Sequence, residues 1–191
     1  MGKVVVSQFI SLDGVVEDPG GAEGFDRGGW AFNLGPEGGK FKLDEVMASE
    51  ALLLRRVTYE GFAEAWPSRS GDFADKFNGM PKYVVSRTLK DPEWNNSTVI
   101  GGDVAEAVAE LKRDFDGDIL VNGSVRLVQT LMEHDLIDEY RLMVFPTILG
   151  AGKRLFGETG DAAALRLVEA KPADETLILI YEPSAKDAGN A

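Results

Sequence analysis

The sequence predicts an α/β protein built on one central mixed sheet, parallel in its body and antiparallel at one edge. Three observations lead there. Over the first two thirds of the chain, short strand patterns alternate with helical patterns. Over the last third, only strand patterns remain. Finally, L-R-L-V-E-A-K and T-L-I-L-I-Y-E flank K-P-A-D, a turn signal that makes them a C-terminal hairpin.

The elements follow in order. Residues 3–10, K-V-V-V-S-Q-F-I, are rich in β-branched residues and read as the first strand. A long glycine-rich loop comes next, running from Gly14 through Gly39; a loop of that length in a compact domain is usually functional or disordered. Phe41, Leu43, Val46 and Met47 have helical spacing, so 40–50 reads as a helix. A-L-L-L, 51–54, is a short buried strand, and 57–66 is a short helix stopped by Pro67. Pro67, Gly71, Gly79 and Pro81 make 67–81 loop-like. Strands are expected at 82–86 and 97–100. Asp103 then opens a helix with Glu106 three residues on, a pair like a capping box. Val104, Val108, Leu111 and Phe115 lie along one face of it. A strand at 118–122, a helix at 124–134 and a strand at 140–145 ended by Pro146 complete the pattern.

The 191 residues suffice for one core, and neither an internal repeat nor an interdomain linker interrupts them. Residues 1–183 therefore read as a single domain, and 184–191 as a flexible tail. A net charge of -12 is a poor match for nucleic acid, whose binding neutralises phosphates with Lys and Arg. No run of 18 apolar residues is present, so no membrane partner is expected. The N-terminal M-G-K-V-V-V-S-Q-F-I is too short and too polar for a signal peptide, and the absence of cysteine fits a cytoplasmic setting. It also excludes thiolate chemistry, and a single histidine, His134, excludes multi-histidine metal centres. His134 falls in the last turn of its helix, where a cation meets the negative dipole end, and reads as structural.

Three strand ends carry small polar or basic residues: R-R-V-T-Y-E at 55–60, S-R-T at 86–88 and N-G-S-V-R at 122–126. The carboxyl ends of parallel strands share one edge, where ligands bind. Helix N-termini at that edge offer free N–H groups to phosphate. Gly123 lets a phosphate approach the backbone, Ser124 offers a hydroxyl, and Arg56 and Arg87 offer bidentate grips. Each site alone is equally well a turn, an N-cap or a solvated charge. Their recurrence at three equivalent places favours a ligand with several phosphates, such as a dinucleotide. G-A-G-K-R-L, 150–155, begins like a dinucleotide fingerprint but ends in Leu155, and a plain turn is the simpler reading. Asp13 in S-L-D-G is either a polar anchor near a substrate or an Asp-Gly turn, the turn being favoured. Asp44 and Glu45 lie on the first helix, facing either the cleft or water. Trp30, Trp66 and Trp94 are either a flat-ring pocket or packing anchors.

Taken together, S-L-D-G-V-V, L-L-L-R-R-V-T-Y-E, K-Y-V-V-S-R-T-L, D-I-L-V-N-G-S-V-R-L-V-Q-T-L and F-P-T-I-L-G-A-G-K-R-L-F resemble the RibD C-terminal domain family. This is the reductase domain of the bifunctional riboflavin-biosynthesis deaminase–reductase, with its stand-alone relatives of dihydrofolate reductase fold. The resemblance spans about residues 3–182. It implies a three-layer, dihydrofolate reductase-like arrangement with helices on both faces of the sheet. It also implies a homodimer, NADPH as hydride donor, and a small pyrimidine- or pterin-like substrate, as in 5-amino-6-(5-phosphoribosylamino)uracil reductase. By similarity, Arg56 and Thr58 lie near the cofactor phosphates, Ser86 and Arg87 at the adenosine end with its 2′-phosphate, and Gly123, Ser124 and Val125 around the pyrophosphate. Asp13 or Asp44 is the expected proton source. Arg55 stands where family members usually have glycine. The Leu-Pro-Trp of dihydrofolate reductases proper and the deaminase domain are both missing. A nucleotide-binding module without catalysis is the competing expectation.

Overall fold

The computed structural model describes residues 1–157 and 162–184. Eight strands and five helices follow one another as β1 (Lys3–Ser11), α1 (Gly35–Ala48), β2 (Ser49–Arg55), α2 (Arg56–Ala65), α3 (Asp72–Gly79), β3 (Lys82–Val85), β4 (Ser97–Ile100), α4 (Val104–Asp114), β5 (Asp118–Asn122), α5 (Val125–Glu133), β6 (Glu139–Phe145), β7 (Leu165–Ala173) and β8 (Thr176–Pro183). They form one sheet in the order β4-β3-β2-β5-β1-β6-β8-β7. Strands β1 to β6 are mutually parallel, and β8 runs antiparallel to both β6 and β7. The mixed sheet with its antiparallel hairpin is therefore the one the sequence predicts.

Burial explains the layers. The central parallel strands are apolar on both sides because both sides are covered. Val4, Val6, Ile119 and Val121 pack beneath Val108, Leu111, Leu127, Val128 and Leu131 of α4 and α5. Val5, Leu52, Leu54, Val84 and Leu120 face the other way, against Val46, Tyr59 and Phe77 of α1, α2 and α3. A third cluster, Ala31, Met143, Phe145, Ala173 and Ile178, extends that second layer under the glycine-rich loop. Among the described residues, no helix is long and apolar enough to cross a membrane.

Three local expectations need correcting. Residues 67–81 are not all loop: α3 occupies 72–79, burying Ala74 and Phe77. α1 begins at Gly35, five residues earlier than its apolar pattern suggests, with Pro36 in its first turn. The hairpin reverses at Asp174 and Glu175, and Lys171, Pro172 and Ala173 remain in β7. Proline is tolerated there because β7 is an edge strand. Elsewhere the reading holds. Asp103 caps α4, its side chain accepting from the Glu106 N–H at 2.9 Å, and His134 is the C-cap of α5. Apart from Ser184, the expected tail lies outside the described residues.

Candidate functional site

Because β1 to β6 are parallel, their carboxyl ends, Ser11, Arg55, Val85, Ile100, Asn122 and Phe145, lie along one edge of the sheet. At the β5–α5 junction the chain turns through two consecutive left-handed residues, Gly123 (φ 55°) and Ser124 (φ 53°). Ser124 occupies the N-cap position of α5 but caps nothing in that helix. Its Oγ instead accepts from the Arg55 N–H at 2.9 Å, while its own N–H donates to Thr58 Oγ1 at 3.1 Å. The starts of α2 and α5 are thus stitched to each other. Gln8 Nε2 holds the Gly123 carbonyl from below at 2.6 Å.

The stitch explains the glycine. A Cβ at position 123 would stand 3.0 Å from Thr58 Cγ2 and 3.1 Å from Thr58 Oγ1. Gly123→Ala is expected to cost about 1–2 kcal/mol, from the left-handed backbone and from displacing Thr58. Urea unfolding would measure it, and a loss within error of zero would show that the junction relaxes freely.

The two stitched helices differ from the other three. α1, α3 and α4 each carry an acidic residue in the first turn. α2 and α5 carry none; like α1 and α3, they also lack a side-chain bond from the N-cap residue. Basic residues stand there instead: Arg55 and Arg56 at α2, Arg126 at α5. A cation at the positive end of a helix dipole is unfavourable unless an anion joins it. Arg55, Arg87 and Arg126 are exposed, and among the described residues no ion pair engages them. Arg56 does have a partner, its Nη1 donating to both Glu60 oxygens at 2.9 Å. Ser86 is nearly buried, and its Oγ accepts from the Thr88 and Leu89 N–H groups at 3.1 and 2.9 Å, which shapes the turn presenting Arg87. Val125 is the first residue of α5 and half-buried against the core. These residues fit a dinucleotide phosphate: two uncapped helix starts, close backbone approach at a glycine, and unpaired guanidinium groups.

Of the two candidate proton donors, Asp13 stands at the same edge, just past the end of β1, and Asp44 stands apart on α1. Asp13 forms the expected turn, with the Gly14 N–H donating to the Ser11 carbonyl at 3.0 Å. Its carboxylate accepts from Ser11 Oγ at 2.7 Å and from the Leu149 and Gly150 N–H groups at 3.1 and 2.8 Å. Those hydrogen bonds, led by Ser11, hold its pKa down at about 2. It is a clamp between the loops that follow β1 and β6. Its folded value lies below the ordinary 3.8. The stabilisation it gives is therefore complete above that value and disappears as the pH falls through about 2. The stability gap between wild type and Asp13→Asn should narrow over that window, and a pH-independent gap in acid titrations would refute the clamp. Asp44 faces solvent on α1 and pairs with Lys40. The G-A-G-K-R-L segment is a turn against the first loop: Arg154 donates to the Asp13 carbonyl and bridges to Val15, and no helix follows within the described residues.

The sequence reading missed a buried polar network on the other face of the sheet. Ser7 Oγ and Lys42 Nζ both donate to Glu45 Oε2, the former at 2.9 Å. Arg141 reaches Asp118 at 2.8 Å and Glu139 at 2.5 Å, with Glu45 Oε1 at 3.9 Å. Glu45 Oε1 itself has no hydrogen-bond partner. Ser7 in a β-branched strand and Arg141 amid Y-R-L-M-V-F were the available signals. Of the tryptophans, Trp94 is buried, and Trp30 packs edge-on to Phe145 at 5.6 Å. Trp66 stacks on Phe73 at 5.0 Å, so all three serve as packing anchors.

Comparison with known proteins supplies the family. Residues 2–179 match the RibD C-terminal domain. The chain belongs to the RibD C-terminal domain family. Two Bacillus subtilis (strain 168) proteins are similar over nearly their whole lengths. YyaP is 25% identical over 93% of each chain, and YwjB is 27% identical over 94% of this chain and 97% of its own. Both bear the name "uncharacterized protein". The diaminohydroxyphosphoribosylaminopyrimidine deaminase/5-amino-6-(5-phosphoribosylamino)uracil reductase of Thermotoga maritima superposes with a TM-score of 0.66 at 13% identity. That match covers 96% of this chain and 57% of the Thermotoga chain, and at such identity it speaks for the fold. The RibD C-terminal fold thus accounts for both layers of helices and for the parallel body of the sheet.

Proposed function

We propose that this RibD C-terminal family protein is an NADPH-dependent reductase of a small, flat heterocycle, pyrimidine- or pterin-like, related in kind to 5-amino-6-(5-phosphoribosylamino)uracil reductase. One observation carries the reading: the stitched starts of α2 and α5, with Gly123 between them and unpaired arginines around them. When bound, the cofactor supplies the hydride. The chain supplies place and charge. Gly123, Ser124, Val125 and Thr58 would hold the pyrophosphate on the α5 N-terminus. Ser86 would shape the turn that brings Arg87 to the 2′-phosphate. Leu12, Phe32 and Ile148 stand exposed on the loops after β1 and β6. They offer an apolar lip for a flat ring, and Asp13 keeps two of those loops together.

A second reading has its own support. Hydrogen bonds favour the ionised form of Asp13, and Asp44 faces water on α1, which favours a nucleotide-binding module lacking significant catalysis. Titration with NADPH and NADH, followed by calorimetry or protein fluorescence, tests the first reading, and Arg87→Ala is the control. Tight NADPH binding, weaker NADH binding and loss of the preference in the variant are expected. Binding of neither nucleotide would remove both readings. Binding without NADPH oxidation against a panel of oxidised pyrimidines and pterins would favour the second.

The same reading includes a homodimer. Leu167, Val168 and Leu177 leave β7 and β8 with an exposed apolar surface that a second copy would cover. A monomeric mass by light scattering would remove that part alone.

A further inference from the structure

We infer that Arg55, rather than its neighbour Arg56, joins Arg87 in gripping the phosphomonoester of the dinucleotide. This rests on the reductase reading and names the residue that gives it selectivity.

Position comes first. Arg55 ends β2 and lies in register beside Val85, two residues before Arg87. Only Ser86, in the turn that follows β3, separates Val85 from Arg87, so the two long side chains start close enough to converge on one anion. The Arg55 backbone is fixed by its N–H bond to Ser124 Oγ at 2.9 Å, so its side chain starts from a defined point at the edge. Its φ of -90° and ψ of 156° are ordinary extended values, and a large side chain is carried there without strain.

Pairing comes second. The chain holds 32 acidic and 20 basic residues, so a carboxylate partner is easily found. Arg113, Arg141, Arg154 and Arg166 each reach one. Arg27 donates to the Leu149 carbonyl, and Arg69 lies over the Trp66 ring at 4.5 Å. Among the described residues, the arginines without a recorded side-chain partner are Arg55, Arg87 and Arg126, and all three belong to the carboxyl-end corner of β2, β3 and β5. Crowding unpaired cations beside two positive helix ends is unfavourable without a multiply charged anion to share. A phosphomonoester is such an anion, and planar guanidinium forks suit it. Arg56 would first have to release both Glu60 oxygens, whereas Arg55 releases nothing.

The experiment is a binding titration of the full chain with NADPH and with NADH, on wild type, Arg55→Gly, Arg55→Gln, Arg56→Ala and Arg87→Ala. Thermal melts confirm folding, and the Arg55 N–H bond is a backbone bond that every substitution except proline retains. Losing one charged phosphate contact weakens binding on the order of tenfold to a hundredfold. Arg55→Gly, Arg55→Gln and Arg87→Ala should each lose NADPH affinity on that scale with little change for NADH, and Arg56→Ala should lose less. NADPH binding unchanged in both Arg55 variants overturns the inference. So does an equal loss for both nucleotides, or a larger loss in Arg56→Ala. In those cases the wild-type preference for NADPH still stands, whereas a wild type that binds neither nucleotide fails the reductase reading itself.

Discussion

Arg141→Leu is expected to cost about 3–5 kcal/mol of folding stability, the usual loss when one partner of a buried charge network is removed. The Arg141 side chain is only 15% exposed. Burial by itself would lower its pKa, but the hydrogen bond and charge of Glu139, then Asp118 and Glu45, raise it above the ordinary arginine value. The guanidinium is therefore firmly charged and serves three carboxylates at once. Leucine would leave those carboxylates facing one another between α1 and the sheet, with Lys42 and Lys3 the remaining nearby cations. Glu45, with one oxygen already lacking a hydrogen bond, would keep Lys42 alone as its cation among the described residues. Urea unfolding of Arg141→Leu against Arg141→Lys tests this. The lysine variant should retain part of the stability, since a point charge replaces a fork. A leucine variant within about 1 kcal/mol of wild type would mean that the network relaxes into water.

The second large effect is expected at Lys82. Its side chain is fully buried, yet its ammonium donates to the carbonyls of Asn78, Met80 and Asn95 at 3.0, 2.8 and 2.9 Å. It also lies over the Trp94 ring at 4.3 Å. Three donors meet three acceptors, two of them at the C-terminal end of α3, where a cation suits the dipole. Methionine fills similar space but strands those acceptors, for a loss of roughly 3 kcal/mol or more. The alkaline side gives a second signature. Burial pulls the Lys82 pKa from 10.5 to about 8. Between those values the unfolded chain binds the additional proton, so stability rises with pH through that window. Lys82→Met removes this contribution. Wild-type and variant stabilities that run parallel from pH 8 to pH 10.5 would contradict it.

What could be read from the sequence was what lies close along the chain. The β-branched run at β1 and the apolar stripe of α5 declared themselves by period, and Asp103 with Glu106 declared the start of α4. α3 did not, because its eight residues bury just Ala74 and Phe77 between Gly71 and Pro81, and punctuation outweighed two apolar positions. The beginning of α1 was obscured by three glycines among its first five residues, poor helix formers that Pro36 and the packing of Gly38 against Met143 nevertheless hold in place. The site divided in the same manner. Gly123, Ser124 and Thr58 lie on two motifs that the resemblance had already brought to one edge. The Ser7–Glu45–Arg141 network joins three separate elements, and no local pattern records that Ser7 pairs in register with Arg141. That Asp13 is held by Leu149 and Gly150 was not legible, because those partners are supplied by a loop far along the chain.

The middle of the sheet also imposes an order of events at birth. β1 precedes every other described strand along the chain, yet its two neighbours are β5 and β6, so Val5 meets Leu120 on one side and Glu139 on the other. At ordinary synthesis rates the wait is on the order of ten seconds. Meanwhile β2, β3 and β4 can assemble only an edge with an open flank, waiting for β5 to close it. The nascent chain thus carries the V-V-V of β1 unpartnered until β5 and β6 have been made, and shielding by a chaperone would matter over that interval.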